Sequence, residues 1–252
     1  MIGKKITCVI PARLQSTRLP NKILRDLAGK PLMQRVWEQA KSCPRFDQVV
    51  LAIDSIEAKR VAEQIQANYI MTDPSCPSGT HRMIELVQSA NLSSDIWVNW
   101  QADEPFICDE MIENLLQGID ENETVGIWTL KKTLAPGEWT NPNVVKVITD
   151  VKGHAIFFSR LPIPFYRDQT EVTSPLAAKH VGIYAYSDEA LKTIAVLPPS
   201  QLAAAEMLEQ LAYLEYGLPI RVFSTERESH GIDTEQDFQL ALTKISRDAS
   251  AV

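Results

Sequence analysis

Arg13, Arg18 and Lys22 fall within ten residues of the stretch VIPARLQSTRLPNK (9–22), although the chain as a whole carries a formal net charge of -7. A local cation cluster on an acidic chain suits an anion held at one place, and it argues against a general grip on nucleic acid. Guanidinium groups hold phosphate oxygens bidentately, and an ammonium adds a point charge. The loop leaves an apolar segment and precedes a helical pattern, so backbone N–H groups and a helix N-terminus are available to the same anion. Neither GxxxxGK[ST] nor GxGxxG is present, so this would be a phosphate loop of another design. On charge alone the stretch also reads as a solvated turn.

Two acidic turns complement it. QADEP (101–105) places Asp103 and Glu104 after an apolar run, and HGIDTE (230–235) places Asp233 in a turn. Mg²⁺ takes hard oxygen ligands and shares them with phosphates, so Asp103 and Asp233 would make a metal pair if the fold brings them together. Helix capping is the alternative for Asp233, with Thr234 the competing cap. PSGTHR (77–82) is a helix start with Ser78 or Thr80 as cap, and it carries His81 and Arg82. His180 sits in the strand-like KHVGIYAY, and Glu206, Glu209 and Gln210 share the helical stretch EMLEQL.

The elements that must position these residues alternate. ITCVIPA, QVVLAID, NYIMTD and IWVNWQADEP read as strands, and PLMQRVWEQAKSC, IEAKRVAEQIQA and THRMIELVQSA as the helices between them. Such alternation predicts a mostly parallel sheet, with ligands beyond the carboxyl ends of its strands. PAR and QADEP both lie at such ends and are expected to meet. In the second half VGIWTLKKT, VVKVITD, HAIFFSR, KHVGIYAYS and IRVFSTE read as strands, RLPIPFYRDQTEVTSP as a long loop, QLAAAEMLEQLAYLEYG as one helix closed by Gly217, and DTEQDFQLALTKI as a final helix. The expectation is a single α/β domain over residues 1–252, with residues ~126–200 forming a smaller inserted subdomain.

With 252 residues, 45% of them hydrophobic and 23% charged, the composition is that of a soluble globular protein. No apolar run approaches the roughly 20 residues that span a bilayer, and the first apolar stretch runs into Pro11 and Arg13, so it reads as a strand. Cys8, Cys43, Cys76 and Cys108 show no paired metal-ligand spacing. The expectation is a cytoplasmic protein with free thiols and no membrane or nucleic-acid partner.

Nine stretches in order, IPARLQSTRLPNK, AGKPLMQRVWEQA, MTDPSCPSGTHR, QADEPFI, NPNVVKVITD, FFSRLPIP, KHVGIYAY, EMLEQLAYLEYG and GIDTEQD, cover nearly the whole chain. Together they resemble the 3-deoxy-manno-octulosonate cytidylyltransferase (CMP-Kdo synthetase) family. The resemblance implies a Rossmann-like nucleotidyltransferase fold, of the nucleotide-diphospho-sugar transferase type, with an inserted sugar-binding and dimerisation subdomain. It implies CMP transfer from CTP to the 2-hydroxyl of 3-deoxy-D-manno-octulosonate (Kdo), a Mg²⁺ requirement, a homodimer and a place in lipopolysaccharide synthesis. By the family pattern Arg13, Ser16, Arg18 and Lys22 contact the triphosphate. Pro11, Ala12, Arg82 and Gln101 hold the cytidine side, Asp103 and Asp233 hold Mg²⁺, and Gln101, His180, Tyr184, Glu209 and Gln210 line the sugar. Asn21, His81, Ala102 and Ala212 depart from the family's usual residues. They leave open a Kdo variant or another nonulosonic acid as acceptor, or a CTP-binding protein without catalysis. Asn21 stands where Gly is usual, and Asn is the best substitute if that position needs positive φ.

Overall fold

The computed structural model describes residues 3–16, 18–89, 92–120, 125–168 and 175–250. The chain divides into two compact units, Met1–Asp109 with Glu228–Val252, and Glu110–Arg227.

The first unit opens with β1 (Ile6–Ala12), α1 (Leu32–Ser42), β2 (Gln48–Ile53), α2 (Ile56–Gln64), β3 (Tyr69–Met71), α3 (Gly79–Ser89) and β4 (Ile96–Asn99). Its strands pair with one another in parallel, in the order β3-β2-β1-β4. With a helix after each of β1, β2 and β3, this is the Rossmann-like arrangement. Every residue of β1 is buried, which is why it reads as one continuous apolar run. A single stripe of α1, Leu32, Met33, Val36, Trp37 and Ala40, is buried and packs on β1 and β2. Leu32, Met33 and Val36 each stabilise the fold by about 1.5–3 kcal/mol. Ser55 starts α2 by accepting the Ala58 N–H at 3.1 Å.

The second unit holds α4 (Asp109–Asp120), β5 (Ile127–Lys132), β6 (Lys146–Thr149), β7 (Ala155–Ser159), β8 (Ala178–Ser187), α5 (Asp188–Ile194), α6 (Gln201–Glu206), α7 (Gln210–Glu215) and β9 (Arg221–Ser224). Strand β5 runs antiparallel to β8 and parallel to β9, while β6 pairs antiparallel with β7 and β8. The expected subdomain, ~126–200, lies within this unit. Residues 169–174 of the expected long loop, and Ala90 at the end of the third expected helix, lie outside the described residues.

The structure corrects one helix. QLAAAEMLEQLAYLEYG forms two short helices, because Met207 turns left-handed at φ 52° and ψ 46°. The Glu206 carboxylate accepts from Ser159 Oγ at 2.7 Å and Arg160 N at 2.9 Å, and Arg160 Nε donates to the Glu206 carbonyl at 2.8 Å. The last of these bonds satisfies a terminal carbonyl of α6 from outside the helix, and the other two hold the Glu206 side chain. Helices α4 and α5 are additions to the sequence reading. Helix α5 carries a recognisable start, with Ser187 accepting the Ala190 N–H at 3.1 Å and Asp188 and Glu189 in the first turn.

The chain returns to the first unit through α8 (Glu235–Ser250). Thr234, not Asp233, caps it. Thr234 Oγ1 accepts from Asp237 N at 3.2 Å, and Asp237 Oδ2 accepts from Thr234 N at 2.8 Å. This reciprocal pair leaves the Asp233 carboxylate available for other contacts.

Candidate active site

Beyond the carboxyl end of β4 the chain continues beside β1. Trp100 N donates to Val9 O at 3.1 Å and Ala102 N to Pro11 O at 3.3 Å. Pro11 and Ala12, the last residues of β1, are buried there, so the cationic loop and the QADEP turn leave the same edge of the sheet. The expected meeting of these two segments is therefore observed. In the loop Arg13 and Arg18 are exposed and Ser16 is half-buried. Asn21 adopts φ 53° and ψ 28°, the left-handed conformation that asparagine tolerates best after glycine. It opens a single 3₁₀ turn, Lys22–Leu24, that buries Lys22 and Ile23. Arg25 pins the loop to the start of α8, pairing with Glu235 and lying 4.1 Å over the Phe238 ring.

Lys22 is the centre of the cluster. Its Nζ donates to Asp103 Oδ2 at 2.5 Å, Asp233 Oδ1 at 2.9 Å and the Ile232 carbonyl at 3.1 Å. Arg18 Nη2 lies 2.8 Å from Asp233 Oδ2. Burial alone would lower the Lys22 pKa, but Asp103 and Asp233 outweigh it and hold the ammonium above its ordinary value. Burial likewise works to raise the Asp233 pKa, and Lys22 and Arg18 bring it below the usual carboxylate value. Lys22 and Asp233 are therefore ionised at neutral pH.

Two acidic turns far apart in sequence are fastened to each other. Ile232 N donates to Asp103 O at 2.9 Å, and Ser229 Oγ donates to Glu104 Oε2 at 2.5 Å. Gly231 packs closely on this carboxylate, since a Cβ there would lie 2.7 Å from Glu104 Oε1. Glu104 thus holds the turn that presents Asp233. Nothing in the sequence signals Ser229 as its partner.

The fit to Mg²⁺ follows from this geometry. Two carboxylate oxygens and a carbonyl oxygen converge on one point, a hard-oxygen set of the kind that binds Mg²⁺ together with substrate phosphates.

The 72–82 segment forms another wall of the unit. Arg82 is 2% exposed and its guanidinium pairs with Asp54 Oδ2 at 3.0 Å and with Thr72 Oγ1. Asp54 Oδ1 also accepts Leu14 N at 2.9 Å, so one carboxylate ties the cationic loop to α3. Arg82 is thus anchored by structural contacts, and Asp54, just past the end of β2, is a supporting residue of the cationic loop absent from the sequence reading. Gln101 Nε2 donates to Asn99 Oδ1 at 2.8 Å, and a Cβ at Gly79 would meet the Gln101 amide at 2.6 Å. His81, on the exposed side, shares a 2.8 Å hydrogen bond with Ser78 Oγ.

The remaining expected residues belong to the second unit. His180 and Tyr184 lie on β8, Glu209 is the N-cap of α7, and Gln210, its first residue, is buried. His180 Nε2 is 3.1 Å from Thr129 Oγ1, and the same hydroxyl lies 2.8 Å from the Ile183 carbonyl and 3.3 Å from the Val181 carbonyl. Burial pushes the imidazole pKa down to about 3, so the ring is neutral at physiological pH. The His180 ring centroid lies 5.1 Å from Phe158 and 5.4 Å from Tyr184, and Tyr184 stacks on Tyr186. Burial, first, and then Tyr186 and Glu209 raise the Tyr184 phenol, which stays protonated. Glu206 is committed to Ser159 and Arg160.

Residues 7–228 match the cytidylyltransferase family. The chain is 41% identical over 238 residues to the 3-deoxy-manno-octulosonate cytidylyltransferase of Chlorobium chlorochromatii, covering 93% of this chain and 94% of that protein. It is 43% identical over 244 residues to the enzyme of the same name from Thermodesulfovibrio yellowstonii, covering 93% and 95%. A solved structure of CMP:2-keto-3-deoxy-manno-octonic acid synthetase complexed with CTP superposes with a TM-score of 0.89 at 34% identity, covering 97% of this chain and 99% of that one.

Proposed function

The chain belongs to the cytidylyltransferase family, among the 3-deoxy-manno-octulosonate cytidylyltransferases, and from that premise we propose how its own residues transfer CMP from CTP to the 2-hydroxyl of Kdo, releasing pyrophosphate. The observation that carries the reading is the convergence of Asp103, Asp233 and Lys22 at the carboxyl edge of the parallel sheet.

In-line attack on the α-phosphate requires positioning and charge neutralisation more than covalent participation by the protein. Arg13, Arg18 and Lys22, with Ser16, hold the triphosphate and stabilise the charge that builds on the leaving pyrophosphate. The buried ends of β1 at Pro11 and Ala12 give the nucleotide a rigid backbone edge. Gln101 is oriented by Asn99, and Arg82 fixes the segment that carries Gly79, so these residues shape the cytidine side. Asp103 and Asp233 would hold Mg²⁺. Bound there, the ion would supply charge neutralisation to the phosphates and lower the pKa of a coordinated hydroxyl. His180 as a neutral imidazole, Tyr184 as a protonated phenol, and Glu209, Gln210 and Gln101 are assigned to the sugar acid on the family resemblance. A homodimer, residence in the cytoplasm and a role in lipopolysaccharide synthesis complete the proposal, on the family resemblance.

The test is pyrophosphate release with CTP, Mg²⁺ and Kdo, repeated with UTP and with related nonulosonic acids. The expected result is turnover that requires CTP, Mg²⁺ and Kdo together, with Kdo the best acceptor. Binding of CTP with no release on any sugar acid would overturn it.

A further inference from the structure

Both candidate triphosphate cations on the inner side of the loop already have partners, and the partners are the candidate metal ligands. Lys22 Nζ touches Asp103 and Asp233 at 2.5 and 2.9 Å, and Arg18 touches the other oxygen of Asp233 at 2.8 Å. The cluster is balanced, two cations against two carboxylates. A divalent cation that bridges Asp103 and Asp233 must compete with an ammonium that makes three contacts at one point, with 8% of its side chain exposed. A triphosphate that recruits Lys22 and Arg18 must likewise separate them from their carboxylates. Either ligand alone leaves charges unpaired, which is costly where one of them is buried. Arriving together they exchange partners, cations to phosphate and carboxylates to metal, and the balance is kept.

We propose that Lys22 and Arg18 are internal counter-ions of the Asp103–Asp233 pair, which bind a divalent cation tightly only when a triphosphate draws the two cations away. The proposal rests on the assignment of Asp103 and Asp233 as the metal pair and of this loop as the triphosphate site. It gives Lys22 a positioning role besides its phosphate contact, since one nitrogen keeps the two acidic turns in register. By linkage the coupling is reciprocal, so the metal strengthens triphosphate binding by the same factor.

The experiment uses Mn²⁺ as probe, titrated into the full chain without nucleotide and followed by the electron paramagnetic resonance of free Mn²⁺. Lys22→Met is expected to bind Mn²⁺ on the order of 5- to 150-fold more tightly than the wild type, the usual span of such couplings. Arg18→Met shifts affinity in the same direction, and adding Asp103→Asn to either variant removes the gain. Should Lys22→Met not fold, Arg18→Met decides alone, because its side chain is 55% exposed and its loss leaves the core intact. Mn²⁺ affinity equal to or weaker than wild type in the folded variants overturns the proposal, as does a gain that survives Asp103→Asn. CMP transfer by the wild type is scored separately. A chain that fails to transfer CMP overturns the functional reading, while the order of Mn²⁺ affinities still decides the counter-ion proposal.

Discussion

A Cβ at position 231 would stand 2.7 Å from Glu104 Oε1, so an alanine there must displace either the Glu104 carboxylate or its own turn. Gly231→Ala therefore breaks the Glu104–Ser229 hydrogen bond or pushes the Asp233 turn away from the QADEP turn. A displacement on that scale is expected to reduce turnover by about a hundredfold. Glu104→Ala removes both the obstacle and the Ser229 hydrogen bond. In that background Gly231→Ala should cost much less, a coupling of about 0.5–3 kcal/mol in a double-mutant cycle. Additive effects in kcat/KM would show that the close approach does not position Asp233.

Asp103 and Asp233 both contact Lys22 Nζ, and each is assigned to Mg²⁺. Asp103→Asn or Asp233→Asn is expected to lower kcat by at least about a hundredfold, the usual cost of removing a charge clamp on a reacting centre. Steady-state pyrophosphate release at saturating Mg²⁺ measures this. Near-normal turnover in either variant would remove that residue from the metal pair.

Asp54 and Arg82 form a salt bridge with side chains only 6% and 2% exposed. Removing one member leaves a buried charge alone, which costs about 3–5 kcal/mol. Asp54→Ala should therefore lower the unfolding midpoint strongly, and because Asp54 also holds Leu14 N it should disorder the start of the cationic loop. Circular dichroism melts read the first effect, and the KM for CTP reads the second. A melt indistinguishable from wild type would mean the pair adds nothing net.

His180 supplies a pH dependence whose sign follows from its burial. Its folded-state pKa is about 3, against about 6.5 in an unfolded chain. As pH falls from about 6.5 to about 3, the unfolded chain takes up a proton that the folded protein refuses, so stability is lost across that window. His180→Gln keeps a hydrogen-bonding group for Thr129 and does not titrate. The melting temperature of the variant relative to wild type should rise steadily from pH 7 to pH 4. A constant difference would show that the imidazole is not held neutral.

The parallel half of the fold was legible because its signals are local. Strand β1 is apolar at every position since both faces are covered, and α1 shows its buried stripe in its spacing. The break between α6 and α7 is not legible, because apolar spacing continues through Met207 and the contacts that hold the end of α6 come from Arg160, 46 residues from Glu206. The same limit governs the site. The cationic loop and the acidic turns could be picked out by residue type, but that Asp103 and Asp233 share one ammonium depends on contacts across 81 and 211 residues. Resemblance to a family supplied that pairing before geometry did. Asp54 was overlooked because a single acid at a strand end carries no local mark of the buried arginine it meets.

Asn21 shows the opposite case, in which an asparagine at a position where the family usually has glycine pointed to the backbone geometry if that position needs positive φ. Its φ of 53° is a conformation that costs most L-residues roughly 1–2 kcal/mol. Asparagine reduces that cost, and glycine pays none. Asn21→Gly should hence leave both melting temperature and turnover close to wild type, with small changes of either sign. A β-branched residue is the worst fit, so Asn21→Val should destabilise by at least the left-handed cost. It should also rotate the following turn and draw Lys22 Nζ off Asp103 and Asp233. The two consequences separate by measurement. Strain alone lowers the melting temperature and leaves kcat intact well below the melt. Displacement of Lys22 lowers kcat at 25 °C even where the protein is fully folded. The expected outcome for Asn21→Val is both losses together, because its Cα is one peptide unit from the residue that holds the acidic turns in register.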